Sequence, residues 1–108
     1  MLNINKLAIQ AAKNVCLKYK NQNQRLYREY CSALAKIKTA IGNEFNLDNT
    51  FNNDNGSLTL YFTNVAGNWI EIVFWEYTEK EVGKAFAKAY NAALTVNLLC
   101  YECHIMND

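Results

Sequence analysis

Residues 100–104 of the chain read "CYECH", which places Cys100, Cys103 and His104 at i, i+3 and i+4. C-x-x-C-H is the spacing by which c-type cytochromes hold haem, with two thiols for the vinyl groups and an imidazole for the iron. On a helix the same three side chains would face one point and offer soft ligands to zinc, with Cys16, Cys31 or a partner supplying a fourth. Neither reading is the favoured one. Covalent haem attachment goes with export, whereas the stretch "MLNINKLAIQAAKNVCLKYK" carries lysines every few residues and no unbroken apolar run, so no secretory leader is expected. Met106 stands too close to His104 to ligate a haem from its far side. A redox dithiol belongs at a helix N-terminus, where the dipole favours thiolate, and this pair falls towards a helix C-terminus. One CxxC without a second matched pair is a thin basis for zinc. The expectation is no cofactor and no metal, with Cys100 filling core space as a small hydrophobe.

The remaining catalytic inventory is equally sparse. His104 is the single histidine, and the two serines, Ser32 and Ser57, stand outside any strand–turn–helix elbow. Glu76, Glu79 and Glu81 cluster where a helix start would favour negative charge, and Glu71 stands alone in a strand. The four glycines are isolated at 42, 56, 67 and 83, so no phosphate-cradling loop exists. No catalytic residue is assigned, and the protein is not expected to be an enzyme.

Charge is segregated. Residues 1–42 carry eight Lys/Arg against one acid, and residues 43–108 carry three lysines against nine acids, a +7 half and a −6 half within a net +1. Lys6, Lys13 and Lys20 stand seven apart, a stripe opposite the Ile4/Ala8/Val15 face that Lys38 would continue on an unbroken helix. Such a stripe could track a phosphate backbone. However, only two of the eleven basic residues are Arg, the usual reader of base edges, and the acidic half would repel a backbone, so nucleic acid ranks second among partners. There is no proline, 16 asparagines, and nine lysines against two arginines, a bias that goes with AT-rich coding such as that of low-GC bacteria and their phages.

The elements that must carry these residues are read from periodicity. Apolar residues recur at helical spacing from Ile4 to Ile41, with the polar run "KNQNQR" in the middle. One helix through that run would be roughly 57 Å long. A domain of this length has a radius of gyration near 13 Å. A break at Asn21–Asn23 into two antiparallel helices is therefore favoured over one long helix. "EFNLDNTF" alternates weakly, "NNDNGS" signals a turn, and "SLTLYFT" and "WIEIVFWEY" alternate around "NVAGN". Setting Thr63 opposite Trp69 collects Leu58, Leu60, Phe62, Ile70, Ile72 and Phe74 on one face. Thr59, Tyr61, Thr63, Trp69, Glu71, Val73 and Trp75 fall on the other. "YTEKE" reads as a capping box, with Thr78 as N-cap, Glu81 reaching back and Tyr77 stapled to Val82. It opens a helix expected to run to about Leu99–Glu102. Gly83, Ala85, Ala87, Ala92 and Ala93 would let another element approach it.

The fold class that follows is α+β in one domain spanning residues 1–108: an N-terminal helix pair, an antiparallel meander of two or three strands and a C-terminal helix. The longest apolar stretch, Ala85 to Tyr101, is interrupted by Lys88, Asn91 and Asn97, so no membrane span is expected and a cytoplasmic protein is. With Tyr61, Trp69, Glu71, Val73 and Trp75 on a face the helices need not cover, the expected function is binding to a larger protein or complex, with a homodimer as the alternative. The coding bias suits a phage or mobile-element product acting in a host cytoplasm, for example an inhibitor of a host defence complex of the anti-CRISPR kind.

Overall fold

The computed structural model describes the backbone of residues 3–107 and the side chains of residues 3–96. Helices α1 (Ile4–Lys18) and α2 (Gln24–Gly42) are followed by strands β1 (Asn46–Asn52), β2 (Leu58–Thr63) and β3 (Trp69–Phe74), then helix α3 (Tyr77–Asn107). This is the α+β arrangement expected. The chain breaks between the helices where the polar run predicts it. Asn23 leaves the helical region at φ −152° and its side chain accepts from the Leu26 amide at 3.1 Å. Asn3 caps α1 in the same way, accepting from the Lys6 amide. Gly42 leads into a Schellman turn in which the Glu44 amide donates to the Ile41 carbonyl and the Phe45 amide to the Ala40 carbonyl. The left-handed position of that turn, φ 65°, is held by Glu44 rather than by a glycine.

The centre of the buried face of α1 is Ala8, Ala12 and Cys16, small residues that let α1 lie close on α3, its chief contact. α3 touches all the other elements. Its buried side is Val82, Phe86, Ala87, Tyr90 and Ala93, and it settles onto the sheet at Gly83. A Cβ there would stand 3.0 Å from a ring carbon of Phe74 and 3.1 Å from Leu58. The stacked rings of Phe86 and Tyr90 and the fully buried Tyr30, Ile37, Leu60, Phe62 and Phe74 complete one continuous core.

The three strands form an antiparallel sheet in the order β1-β2-β3. β2 and β3 pair with Thr63 opposite Trp69, in the register the alternation requires, joined by a turn in which Asn64 accepts from the Ala66 and Asn68 amides. Leu58, Leu60, Phe62 and Phe74 are buried, and Ile70 and Ile72 are half-buried against the helices. β1 is less regular. Its register against β2 slips between Leu47 and Asn49, a bulge that changes which of its residues face the core.

Two expectations for α3 are corrected. The helix starts two residues earlier, with Tyr77 rather than Glu79 as its first residue and the Glu76 carbonyl accepting its first turn's bond from Lys80. The side chains read as a capping box are instead spent on α2: the Thr78 hydroxyl donates to Glu29 at 2.8 Å, and Glu81 accepts from the Tyr30 hydroxyl at 2.9 Å. Tyr77 is 73% exposed, so it staples nothing. Helix α3 also runs on to Asn107, beyond the expected end, because no glycine or proline follows to stop it. Burial, then the bond to Glu81 and its negative charge, push the Tyr30 phenol well above its usual value of 10.0.

Candidate binding face

β-Strand side chains alternate between faces, so committing Leu60, Phe62 and Ile72 to the core commits Tyr61, Trp69, Glu71 and Val73 to the other side. α2 and α3 lie against the inner face. Among the described residues none covers the outer one: Trp69 is 58% exposed and Trp75, just past the end of β3, is 65% exposed. Glu71 is exposed, while Tyr61 and Val73 are half-buried between their neighbours. Tyr61, Trp69, Glu71 and Val73 of the predicted set are therefore brought together on one surface, and Trp75 stands exposed just past the end of β3.

The rings form a row across the sheet. Tyr61 and Trp69 have centroids 5.8 Å apart and tilted by 31°, and Phe51 meets the edge of Tyr61 at 6.5 Å. Phe51, 45% exposed, extends the face onto β1 and was not among the expected residues. The bulge after Leu47 hides it, because a phase counted from Leu47 puts Phe51 on the core side. Among the described residues Glu71 is the only charged side chain in this surface, which otherwise offers Asn49 and Thr63 as polar groups, Thr59 being buried. Thr59 is held by a bond from the Asn53 amide at 2.8 Å, part of a tight knot in which Asn53 also donates to Ser57.

A second feature, also unexpected, adjoins the face. Between β3 and the C-terminal half of α2 runs an open groove of about 480 Å³, lined by Lys36, Thr39, Asn43, Phe45, Ile70 and Ile72. It arises from the way α2 ends beside β3, which no local sequence pattern records.

The lysine stripe does not assemble as spaced. Lys6 and Lys13 are exposed on α1, but α1 ends at Lys18, so Lys20 belongs to the following turn, and Lys38 lies on a different helix. Cys100, Cys103 and His104 fall in the part of α3 whose side chains lie outside the described residues. Of their suggested companions, Cys16 is buried and Cys31 half-buried, both free thiols. Burial, aided by the neighbouring Cys31, raises the Cys16 thiol to about 11. Among the described residues no three His, Cys, Asp or Glu side chains converge as metal ligands, and no helix is long and apolar enough to cross a membrane. Compared with protein-family models, curated proteins and solved structures, the chain matches none, so its own geometry carries the functional reading.

Proposed function

We propose that this is a small, non-enzymatic binding protein that works by masking a surface on a larger protein partner. The observation that carries the reading is the aromatic row Phe51, Tyr61 and Trp69 on a sheet face, its two outer rings exposed, with Trp75 exposed just past the end of β3. Aromatic side chains, with only two rotatable bonds each, add apolar area to an interface at little entropic cost, and binding hot spots are enriched in Trp and Tyr. An inhibitor of a host complex, made in the cytoplasm from a phage or mobile element, is the role that also accommodates the coding bias.

Trp75→Ala and Trp69→Ala test this reading. A core tryptophan cut to alanine typically costs about 3–5 kcal/mol of stability, whereas a hot-spot tryptophan costs about 2 kcal/mol or more of affinity. Both variants are expected to melt close to the wild type and to lose the partner that the wild type captures from a low-GC bacterial lysate. A capture that survives both substitutions overturns the reading. One abolished by nuclease and by charge reversal at Lys6 and Lys13 would move the function to nucleic acid. Loss of self-association alone would make the face a dimer interface.

A further inference from the structure

We infer that the free edge of β3 takes an extended peptide strand from a heterologous partner, one that alternates apolar residues and presents a carboxylate to Lys36. This deepens the binding reading above and rests on it, adding a partner class and a mode of capture.

The edge is open in the backbone. In an antiparallel ladder, paired residues alternate between those that exchange hydrogen bonds and those that point their amide and carbonyl away. The Asn64 amide bonds the Asn68 carbonyl at 3.0 Å, and one step on Thr63 stands opposite Trp69. Counting from there, Ile70, Ile72 and Phe74 bond to β2, and Trp69, Glu71 and Val73 turn their amides and carbonyls outward. The other hairpin agrees: the Asn53 amide bonds the Ser57 carbonyl, which points Leu58, Leu60 and Phe62 of β2 towards β3. Among the described residues no side chain bonds the outward groups of β3.

The two edges of the sheet are treated differently. β1 is interrupted by its bulge and carries Asp48 and several asparagines, devices that discourage pairing. β3, "WIEIVF", has no bulge, proline, glycine or lysine. Exposed edges of that composition pair with other chains.

The groove decides what kind of strand fits. A strand added to β3 would send alternate side chains over the groove floor of Ile70, Ile72 and Phe45, and the others into line with Trp69 and Trp75. The groove, about 480 Å³, lies within the usual range of about 300–1,000 Å³ for ligand sites. Lys36 stands at its wall, exposed and without an acid partner among the described residues. A second copy fits less well. Two-fold pairing about Ile72 would align the backbones, yet it would bring both copies of Lys36 to one groove, where the acid that lines it, Glu71, makes no ion pair with Lys36. The inner-facing Phe74 of the second copy is fully buried in its own core, so it could not fill the space.

The probe is a displayed library of random ten-residue peptides panned on the full chain, with the recovered sequences synthesised. The expected peptides alternate apolar residues and carry an Asp or Glu. Binding should slow amide exchange at Trp69, Glu71 and Val73 at least tenfold and weaken at least tenfold in Lys36→Glu. Glu71→Pro, which removes an outward amide and no bond to β2, should abolish binding while Glu71→Gln retains it. Recovery of no peptide, or of peptides that leave those amides exchanging at the free rate, overturns the inference. So does protection of the same amides in a free protein that sediments as a dimer. If the peptides bind Glu71→Pro normally but not Trp69→Ala or Trp75→Ala, strand addition fails and the aromatic-face reading survives. Binding indifferent to all three removes both.

Discussion

Tyr30→Phe removes one oxygen from the junction of α2 and α3 and leaves the ring where it is. The ring is 1% exposed and rests 5.3 Å from that of Tyr19, so packing is conserved and the loss is that of the bond to Glu81. A hydrogen bond to a charged group contributes about 1.5–3 kcal/mol. At about 4 °C per kcal/mol for a chain of this size, the thermal midpoint should fall by roughly 6–12 °C at neutral pH. A second signature appears in alkali. The phenol titrates higher in the folded protein than its unfolded value of 10.0, so above that pH the unfolded chain gives up the proton first. The stability conferred by protonated Tyr30 is therefore complete below pH 10.0 and is lost as pH climbs towards the folded value, at up to about 1.4 kcal/mol per pH unit. Tyr90 is shifted the same way by burial, so the wild type declines through both groups and Tyr30→Phe should decline less steeply by one proton's worth. Urea melts of both proteins from neutral pH to about pH 11, with Glu81→Gln and the double variant completing a cycle, give the coupling directly. A Tyr30→Phe protein within about 0.5 kcal/mol of wild type and with the same alkaline slope would refute the reasoning, because neither the bond nor the burial would then matter.

Two backbone positions give predictions of opposite sign. Gly83→Ala, which in an exposed helix would stabilise by about 1 kcal/mol, here drives a methyl into Phe74 and Leu58; overpacking of about 1–3 kcal/mol should make it neutral to destabilising, and Gly83→Val distinctly worse. Equal or greater stability in Gly83→Val would show that the helix does not seat there. Glu44→Gly relieves the left-handed residue of the Schellman turn and should raise stability by about 0.5–1 kcal/mol in a denaturant melt.

What the sequence discloses divides along the range of the forces involved. The β2–β3 register is legible because one slip would scatter six apolar residues over both faces, and the aromatic face follows from the same alternation. The helix break is legible because a polar gap and a length limit act together. β1 is not, since the bulge at Leu47/Asn49 changes phase in mid-strand and hides Phe51. The capping box fails for a related reason: Thr78 and Glu81 have the chemistry of a local cap but find partners 49 and 51 residues away, which spacing cannot reveal. The lysine stripe assumed a helix continuing to Lys20, and the groove needs α2 and β3 placed side by side.

The pairing of α1 with α3 has a bearing on how the molecule is made. A polypeptide leaves the ribosome amino end first, and the Ala8–Ala12–Cys16 face finds its main neighbour only in residues 77 onward. The β2–β3 hairpin, joined by a short turn, can close as soon as Phe74 is out, since hairpins form within about 1–10 μs. Its Leu60 and Phe62 side then has α2 at one flank and waits for α3 to cover the rest. During that interval the nascent chain shows two greasy surfaces and an open strand edge at once, the condition under which chains on neighbouring ribosomes adhere. Completion of folding is thus timed by the appearance of α3, and slow emergence of residues 75 to 90 would lengthen the exposure while slow decoding of α1 would not.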